Sequence, residues 1–131
     1  MNVLVVEDEA YAAERLIGQI KEYDESIDIL DVVESVEEAT DFINANQSDI
    51  DLAFMDIQLA DGKSFEIFRE VEFFKPIIFT TAFDEFALDA FKLNSIDYLL
   101  KPIKYDDLKL ALDKLSRINP KNQASIPSAL L

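Results

Sequence analysis

The sequence predicts a three-layer, doubly wound α/β domain built on a five-stranded parallel sheet. Five short apolar runs alternate along the chain with five longer amphipathic stretches. The first run is apolar throughout and the third and fourth have one polar residue each, which is typical of parallel strands covered on both faces. A chain of 131 residues, 50% of them hydrophobic, has the length and composition of one domain with its own core. Right-handed crossovers between the strands would place helices on both faces of the sheet.

The elements follow in regular order. The predicted strands cover residues 3–6, 27–33, 50–55, 77–80 and 96–100. The predicted helices cover residues 10–23, 36–46, 64–74, 84–93 and 105–117. Each strand is short and rich in aliphatic or aromatic residues, and each helix is long enough for two or more turns, so the two patterns are readily told apart.

Apolar faces and caps support the individual helices. The first helix has an apolar face formed by Ala13, Leu16, Ile17 and Ile20, and the last has one formed by Leu108, Ala111, Leu112 and Leu115. Ser35 and Glu38 have the spacing of a capping box at the start of the second helix. Ser64 is expected to cap the third helix, and Pro76 marks the boundary before the fourth strand.

Composition excludes several classes of function. The chain has no Cys and no His, which excludes disulfides, thiolate or imidazole metal sites, and Ser-His or Cys-His catalysis. Its only two glycines leave no room for a phosphate-binding glycine loop. A net charge of −15 argues against binding nucleic acid or anionic membranes through the overall field. We expect a cytoplasmic domain, because no membrane-spanning run and no signal peptide is visible in the sequence.

The charge changes sign near the end of the chain. Residues 1–100 carry a net charge of −18, whereas residues 101–131 carry +3. Residues 119–131 include two prolines and show no periodicity, so we expect them to form a linker or disordered tail. The predicted domain therefore spans residues 1–118.

Charged and hydroxyl side chains follow the predicted strands. Glu7 and Asp8 follow the first strand, Asp56 the third, Thr81 the fourth and Lys101 the fifth. The carboxyl ends of parallel strands meet at one edge of the sheet, where ligands bind in folds of this class. Carboxylates held together repel one another unless protons, a lysine or a cation offset their charge. Oxygen ligands of this kind favour Mg²⁺.

Four segments, taken in order, resemble the receiver domain of two-component response regulators. They read VLVVEDE, LAFMDIQLADGKSFEIF, IIFTTAFDEFALDAF and SIDYLLKPI. The third and fourth segments, with ADGKSFEIF, resemble more narrowly the LytTR-type (LytR/AgrA-like) transcriptional regulators, in which the receiver precedes a DNA-binding domain. The match covers about residues 2–117. It implies a flavodoxin-like fold with strand order 2-1-3-4-5.

The resemblance implies a role for each residue at the sheet edge. Asp56 is expected to be the phosphoacceptor, with Lys101 beside it. The expected Mg²⁺ ligands are Glu7, Asp8, Asp56 and the backbone carbonyl of Gln58. Thr81 is expected to be the switch hydroxyl, and Tyr98 the aromatic switch residue. Gln58 and Phe83 should flank the phosphoryl group and set the rate at which it is lost.

Some positions allow a second interpretation. Glu7 stands where most receivers have Asp, so its metal contact is expected to run through water. Glu9 is assigned as a helix N-cap and not as a ligand. Of the two adjacent threonines, Thr80 is taken as a strand residue and Thr81 as the switch. Tyr98 also fits a purely structural place in the core.

We therefore expect a phosphorylation-dependent switch and not an enzyme, with weak autodephosphorylation at most. The expected partners are a sensor histidine kinase and a second copy of the chain. Phosphorylation is expected to promote symmetric pairing through the face built from the fourth helix, the fifth strand and the last helix. Acids of the fourth helix (Asp84, Glu85 and Asp89) and bases of the last helix (Lys104, Lys109 and Lys114) carry opposite charges there. DNA would be bound only through an absent C-terminal domain.

The alternatives are a stand-alone or degenerate receiver that acts as an interaction module. A phosphatase of the haloacid dehalogenase kind is set aside, because it would need an acid where Gln58 stands.

Overall fold

Five parallel strands form the central sheet of the computed structural model, which describes residues 1–83 and 95–118. In chain order the strands are β1 (Asn2–Val6), β2 (Asp28–Val33), β3 (Leu52–Asp56), the two-residue β4 (Gln58–Leu59) and β5 (Gly62–Lys63), β6 (Ile77–Thr81) and β7 (Ser95–Leu100). The sheet order is β2-β1-β3-β6-β7, and β4 and β5 form a separate antiparallel hairpin. The predicted fold class and strand order are confirmed.

Four α-helices lie in the described residues. They are α1 (Ala10–Tyr23), α2 (Val36–Asn46), α3 (Ile67–Glu70) and α4 (Tyr105–Ile118), with 3₁₀ turns at Gln47–Asp49 and Ser64–Glu66. The predicted helix over residues 84–93 and the predicted tail over residues 119–131 lie outside the described residues. The longest described helices have 14 residues, and none combines the length and hydropathy of a transmembrane span.

Two apolar clusters, one on each face of the sheet, form the core. Met55 and Phe79 point to the face covered by α2 and α3, whereas Phe54 and Ile78 point to the face covered by α1 and α4. Successive strand residues alternate between faces, so β3 and β6 contribute to both clusters. This explains why their sequences are apolar without interruption.

The predicted helix over residues 64–74 is largely wrong. Only Ile67–Glu70 is α-helical, after a 3₁₀ turn, and Val71 is extended. The side chain of Gln47 holds the extended segment beyond Val71: its Nε2 donates to the Glu72 carbonyl at 2.7 Å, and its Oε1 accepts from the Phe74 N–H at 3.3 Å. These distant bonds satisfy backbone groups that a longer helix would otherwise pair internally.

Ser64 does not act as the predicted cap. It is fully buried, its N–H donates to the Ile57 carbonyl at 2.8 Å, and its Oγ has no hydrogen-bond partner in the described part of the chain. The Glu66 side chain instead accepts from the Lys63 N–H at 3.0 Å. The Ser64 hydroxyl is therefore buried without capping the helix.

The start of α2 confirms half of the predicted capping box. Ser35 Oγ accepts from the Glu38 N–H at 3.0 Å, but the Glu38 carboxylate accepts from the Glu34 N–H and not from that of Ser35. A residue from the β4–β5 hairpin adds a second cap: Asp61 accepts from the Val36 and Glu37 N–H groups at 2.8 and 3.2 Å. These bonds, that to Val36 first, lower the pKa of Asp61. The hairpin after Asp56 is thus tied to the first turn of α2.

Candidate functional site

Three carboxylates converge at the carboxyl edge of the sheet. β1 and β3 are neighbours, so Glu7 and Asp8, which follow β1, lie beside Asp56 at the end of β3. One carboxylate oxygen from each of the three lies within 4.8 Å of the others. Glu7 and Asp56 are buried, whereas Asp8 is exposed to solvent. The three carboxylates that the sequence placed at the strand ends therefore lie close together.

Lys101 is the cation of this cluster. It follows β7, and β6 lies between β7 and β3, so the lysine side chain reaches across one strand to the carboxylates. Its Nζ lies 2.5 Å from Glu7 Oε1 and 3.0 Å from Asp56 Oδ2. Charge-assisted hydrogen bonds of this length are among the stronger polar contacts in proteins. Lys101 therefore links the two buried carboxylates.

The shared environment shifts three pKa values. Burial, and then the charge of Asp56, raises the pKa of Glu7 above its ordinary value despite the contact with Lys101. Burial and the neighbouring Glu7 also raise the pKa of Asp8. For Lys101, burial disfavours the charged form, but the bonds to Glu7 and Asp56 outweigh it and raise the pKa. The charges are thus packed closely enough to influence one another's protonation.

The same carboxylates have the chemistry of a magnesium site. Mg²⁺ takes oxygen ligands, keeps several waters and is commonly held by only one or two carboxylates. Asp8 and Asp56 offer such ligands at the edge of the sheet. Both oxygens of Glu7 and of Asp56 have protein partners: Lys101 contacts one oxygen of each, and the N–H groups of Glu9 and Gln58 donate to the other oxygens at 3.2 and 3.3 Å. That a metal contact of Glu7 runs through water stays a prediction.

Gln58 and Thr81 also lie near Asp56. The Gln58 N–H donates to Asp56 Oδ1 at 3.3 Å, and the Gln58 side chain is exposed. Thr80 is the register partner of Asp56, and Thr81 lies one residue further along β6. Both threonines are buried, so burial alone does not distinguish them. Thr81 Oγ1 accepts from the Phe83 N–H at 3.2 Å, and the Thr81 carbonyl accepts from the Lys101 N–H at 2.7 Å.

Phe83 connects Thr81 with Tyr98. The Tyr98 hydroxyl donates to the Phe83 carbonyl, while the Phe83 N–H donates to Thr81. The Tyr98 ring is half-buried and packs against the core on the α2 face. The Phe83 side chain is 48% exposed at this edge of the sheet. All three residues were singled out from the sequence. Nothing in the sequence indicates that Thr81 and Tyr98 are both bonded to the backbone of Phe83.

Several polar residues near the site were missed. Gln19 and Arg15 of α1 both contact the loop that carries Lys101, and no motif in the sequence points to them. Asp61 could have been found, because Asp-Gly is a strong hairpin signal and Gly62 has a positive φ of 146°. A groove of about 370 Å³ between α1 and the Lys101 loop borders the site, and Glu7, Gln19 and Lys101 are among its lining residues.

Comparison with known proteins gives one consistent family. Residues 3–113 match the model of the response regulator receiver domain. The chain is 35% identical over 120 residues to the sensory transduction protein LytT of Bacillus anthracis, covering 89% of this chain and 48% of that protein. It is 38% identical over 122 residues to the positive alginate biosynthesis regulatory protein of Pseudomonas aeruginosa, covering 91% and 48%. The chain thus spans about half the length of the curated relatives it matches.

Solved structures agree with the sequence comparison. The response regulatory domain of protein mrkE from Klebsiella pneumoniae matches with a TM-score of 0.78 and 28% identity, over 89% of this chain and 96% of that one. A two-component response regulator from Clostridium difficile matches with a TM-score of 0.74 and 28% identity, over 91% and 98%. Sequence and fold therefore point to the same family.

Proposed function

The chain belongs to the response regulator receiver domain family, and on that premise we propose that Asp56 accepts a phosphoryl group from a sensor histidine kinase. One observation carries the assignment to Asp56: this buried carboxylate ends the central strand β3, where it contacts Lys101 and lies within the cluster with Glu7 and Asp8. Glu7 is also buried and contacts Lys101, but it follows β1, whereas the resemblance places the phosphoacceptor at the end of the third strand of the parallel sheet.

The transfer is a displacement at phosphorus. An Asp56 oxygen forms the new P–O bond as the P–N bond to the kinase histidine breaks, and the histidine nitrogen leaves with the electron pair. Lys101, held at 3.0 Å from Asp56, would stabilise the charge on the phosphoryl oxygens. Mg²⁺, held by Asp8, Asp56 and the Gln58 carbonyl, with Glu7 acting through water, would neutralise charge on both reactants.

The switch would use Thr81 and Tyr98. Thr81 is bonded to the Phe83 N–H, and a phosphoryl group on Asp56 would offer its hydroxyl a charged acceptor instead. Tyr98 is bonded to the Phe83 carbonyl, so movement at Phe83 would release both hydroxyls together. Phosphorylation at Asp56 would in this way change the surface near β7.

The domain would hold its phosphoryl group for a long time and would act as a switch without enzymatic turnover of its own. Loss of the group requires a water that attacks in line, and the flanking side chains control that approach. Phe83 offers no side-chain hydrogen bond to orient a water, and Gln58 is long and exposed. Slow autodephosphorylation is the expected consequence.

The output would be dimerisation coupled to DNA binding by a further domain, in a cytoplasmic regulator. Leu100 and Leu110 on the β7–α4 face are 48% and 65% exposed and give a symmetric partner an apolar centre.

The same face carries basic residues. Lys104 and Lys109 are exposed, and Lys114 donates to the Ile96 carbonyl at 2.7 Å. Their expected acidic partners at 84, 85 and 89 lie outside the described residues. Residues 119–131 would lead to the DNA-binding domain.

Acetyl phosphate provides a direct test of the phosphoacceptor. With Mg²⁺, the intact protein should gain the mass of one phosphoryl group, and Asp56→Asn should gain none while remaining folded. Asp49→Asn, the same change at an exposed acid near the opposite edge of the sheet, should label like the unchanged protein. Full labelling of Asp56→Asn at the normal rate would place the phosphoacceptor elsewhere. No labelling of the unchanged protein would favour a degenerate receiver.

A further inference from the structure

Two side chains of α1 converge on one backbone carbonyl beside the site. Gln19 Nε2 donates to the Ile103 carbonyl at 2.9 Å, and Arg15 Nη2 donates to the same oxygen at 3.2 Å. The two residues are four apart, so they lie on one face of the helix. Ile103 is buried, with its side chain in the core between α1 and α4. Both lone pairs of this carbonyl can therefore be used by α1.

The segment between Lys101 and Ile103 is held at both ends. The Lys101 N–H donates to the Thr81 carbonyl at 2.7 Å, which extends the ladder between β6 and β7 by one bond. The Ile103 carbonyl is bound to α1 two residues later. Lys101 must reach across β6 to Asp56, so a shift of its backbone would move Nζ away from that carboxylate.

The helix that holds this segment also follows directly on the acidic residues. α1 begins at Ala10, immediately after Glu7, Asp8 and Glu9. One rigid helix therefore connects the start of the acidic loop to the loop that carries Lys101. The 2.5 Å contact between Glu7 and Lys101 joins the two loops at the site itself.

The Gln19 amide is bonded to the protein through its nitrogen. Its Oε1 is buried and has no hydrogen-bond partner among residues 1–83 and 95–118. Rotating the amide by half a turn would place that oxygen against the Ile103 carbonyl, and two acceptors would then face each other. In the observed orientation Nε2 donates to the Ile103 carbonyl, and Oε1 is the atom without a partner in the described part of the chain.

We propose that Gln19 and Arg15 are positioning residues for phosphoryl transfer, because they hold the Ile103 carbonyl and thereby fix Lys101 beside Asp56. This inference rests on the proposed transfer to Asp56. Neither residue contacts Asp56, and both act only through the Lys101 loop. Their effect on the reaction should accordingly depend on the presence of the Lys101 side chain.

A double-mutant cycle on the labelling rate tests that dependence. Gln19→Met removes the donor and keeps an unbranched side chain of similar length and helix propensity. It should slow labelling by acetyl phosphate about tenfold, because small displacements of a reacting group are costly. In a Lys101→Met background the same change should alter the rate by less than about twofold, since the two residues act as one unit.

Matched variants separate positioning from general damage. Glu14→Met places the same residue at an exposed position on the same helix and should leave labelling unchanged. Arg15→Met should slow labelling less than Gln19→Met, and Arg15→Lys, which keeps a donor, should restore it. Arg15 is exposed, so its variants test the inference even if Gln19→Met fails to fold.

The outcomes distinguish this inference from the proposed function. If Lys101→Met slows labelling and Gln19→Met slows it equally in both backgrounds, Gln19 does not act through Lys101 and the inference is wrong, while transfer to Asp56 stands. If Lys101→Met leaves the labelling rate unchanged, the role of Lys101 fails and the inference fails with it. Equal rates for Gln19→Met, Arg15→Met and the unchanged protein would also overturn it.

Discussion

Two sets of residues around Asp56 are held differently. In one set, Lys101 makes direct charged contacts with Glu7 at 2.5 Å and with Asp56 at 3.0 Å. In the other set, the hydroxyls of Thr81 and Tyr98 are bonded to the backbone of Phe83 and not to Asp56. We call these the charged side (Glu7, Asp8 and Lys101) and the hydroxyl side (Thr81, Phe83 and Tyr98).

Because their contacts differ, we expect the two sides to act at different stages of the reaction. The charged side is assembled before any phosphoryl group is present, so it needs little rearrangement to stabilise the transfer. On the hydroxyl side, Thr81 and Tyr98 each make a neutral hydrogen bond to the backbone of Phe83, and such a bond contributes about 0.5–1.5 kcal/mol. These bonds are readily exchanged for stronger ones to a charged phosphoryl group. The charged side should therefore control the rate of transfer, and the hydroxyl side the conformational response and the lifetime of the phosphoryl group.

The largest effect is expected for Lys101→Met. The variant removes the cation on the charged side, and we expect labelling by acetyl phosphate to slow by about 100-fold, as when one preorganised charge stabiliser is lost from an active site. The initial rate is measured by intact mass. Lys104→Met, at an exposed lysine three residues later, is the matched control and should label normally. Similar rates for the two variants would remove the distinction between the two sides.

A second test addresses the metal on the charged side. Mg²⁺ binds the folded state, so it should raise the melting temperature, by an amount equivalent to about 1.4 kcal/mol when its concentration is ten times Kd. Asp8→Ala should abolish this shift because a ligand is lost. Glu9→Ala, at the adjacent exposed acid, should retain it, since Glu9 lies outside the carboxylate cluster. An equal Mg²⁺ shift in the unchanged protein and Asp8→Ala would contradict the assigned site.

A smaller effect is expected on the hydroxyl side, in the loss of the phosphoryl group. Phe83→Glu replaces the ring with a carboxylate that can orient water, and it should speed loss by about tenfold, less than the roughly 100- to 10,000-fold of a fully positioned general base. The phosphoryl half-life is followed after acetyl phosphate is removed. The labelling rate itself should change little. Equal half-lives with unchanged stability would show that Phe83 is only a packing residue.

The smallest effect on the reaction is expected for Tyr23→Phe, which is remote from both sides. The Tyr23 hydroxyl donates to Asp113 at 2.7 Å and joins α1 to α4. Burial and this bond raise the pKa of Tyr23 from 10.0 to about 12. The folded state thus keeps the phenol protonated where the unfolded chain ionises it, so Tyr23 stabilises the fold below pH 10 and this contribution is lost as the pH rises to about 12.

Chemical denaturation at several alkaline pH values checks this last prediction. The stability of the unchanged protein should fall more steeply between pH 10 and 12 than that of Tyr23→Phe. Labelling of the two proteins at neutral pH should be the same. Parallel stability curves would mean that Tyr23 ionises in the folded state as it does in the unfolded chain.

The fold was predictable because its main pattern is local. Short apolar runs marked β1, β3 and β6, and the residues at the ends of β1 and β3 led to Glu7, Asp8 and Asp56. The helix over residues 64–74 was mispredicted because two bonds from Gln47, more than twenty residues away, hold the segment after Glu70 extended. No local sequence signal reports such a contact.

The sequence predicted which residues lie at the site better than it predicted which of them contact one another. The end of β7 marked Lys101, but its contacts with Glu7 and Asp56 depend on β6 lying between β7 and β3. The bond between Tyr98 and the Phe83 carbonyl likewise depends on how two strands meet. Sequence periodicity indicates which face or end a residue occupies, whereas hydrogen-bond partners depend on the assembled sheet.

Binding of beryllofluoride, a mimic of the phosphoryl group, would test directly whether Asp56 is the phosphoacceptor. We expect ¹⁹F NMR to show one bound species on the unchanged protein when Mg²⁺ is present, none without Mg²⁺, and none on Asp56→Asn. Binding without Mg²⁺, or equal binding to the unchanged protein and Asp56→Asn, would contradict the assignment of Asp56 as the phosphoacceptor.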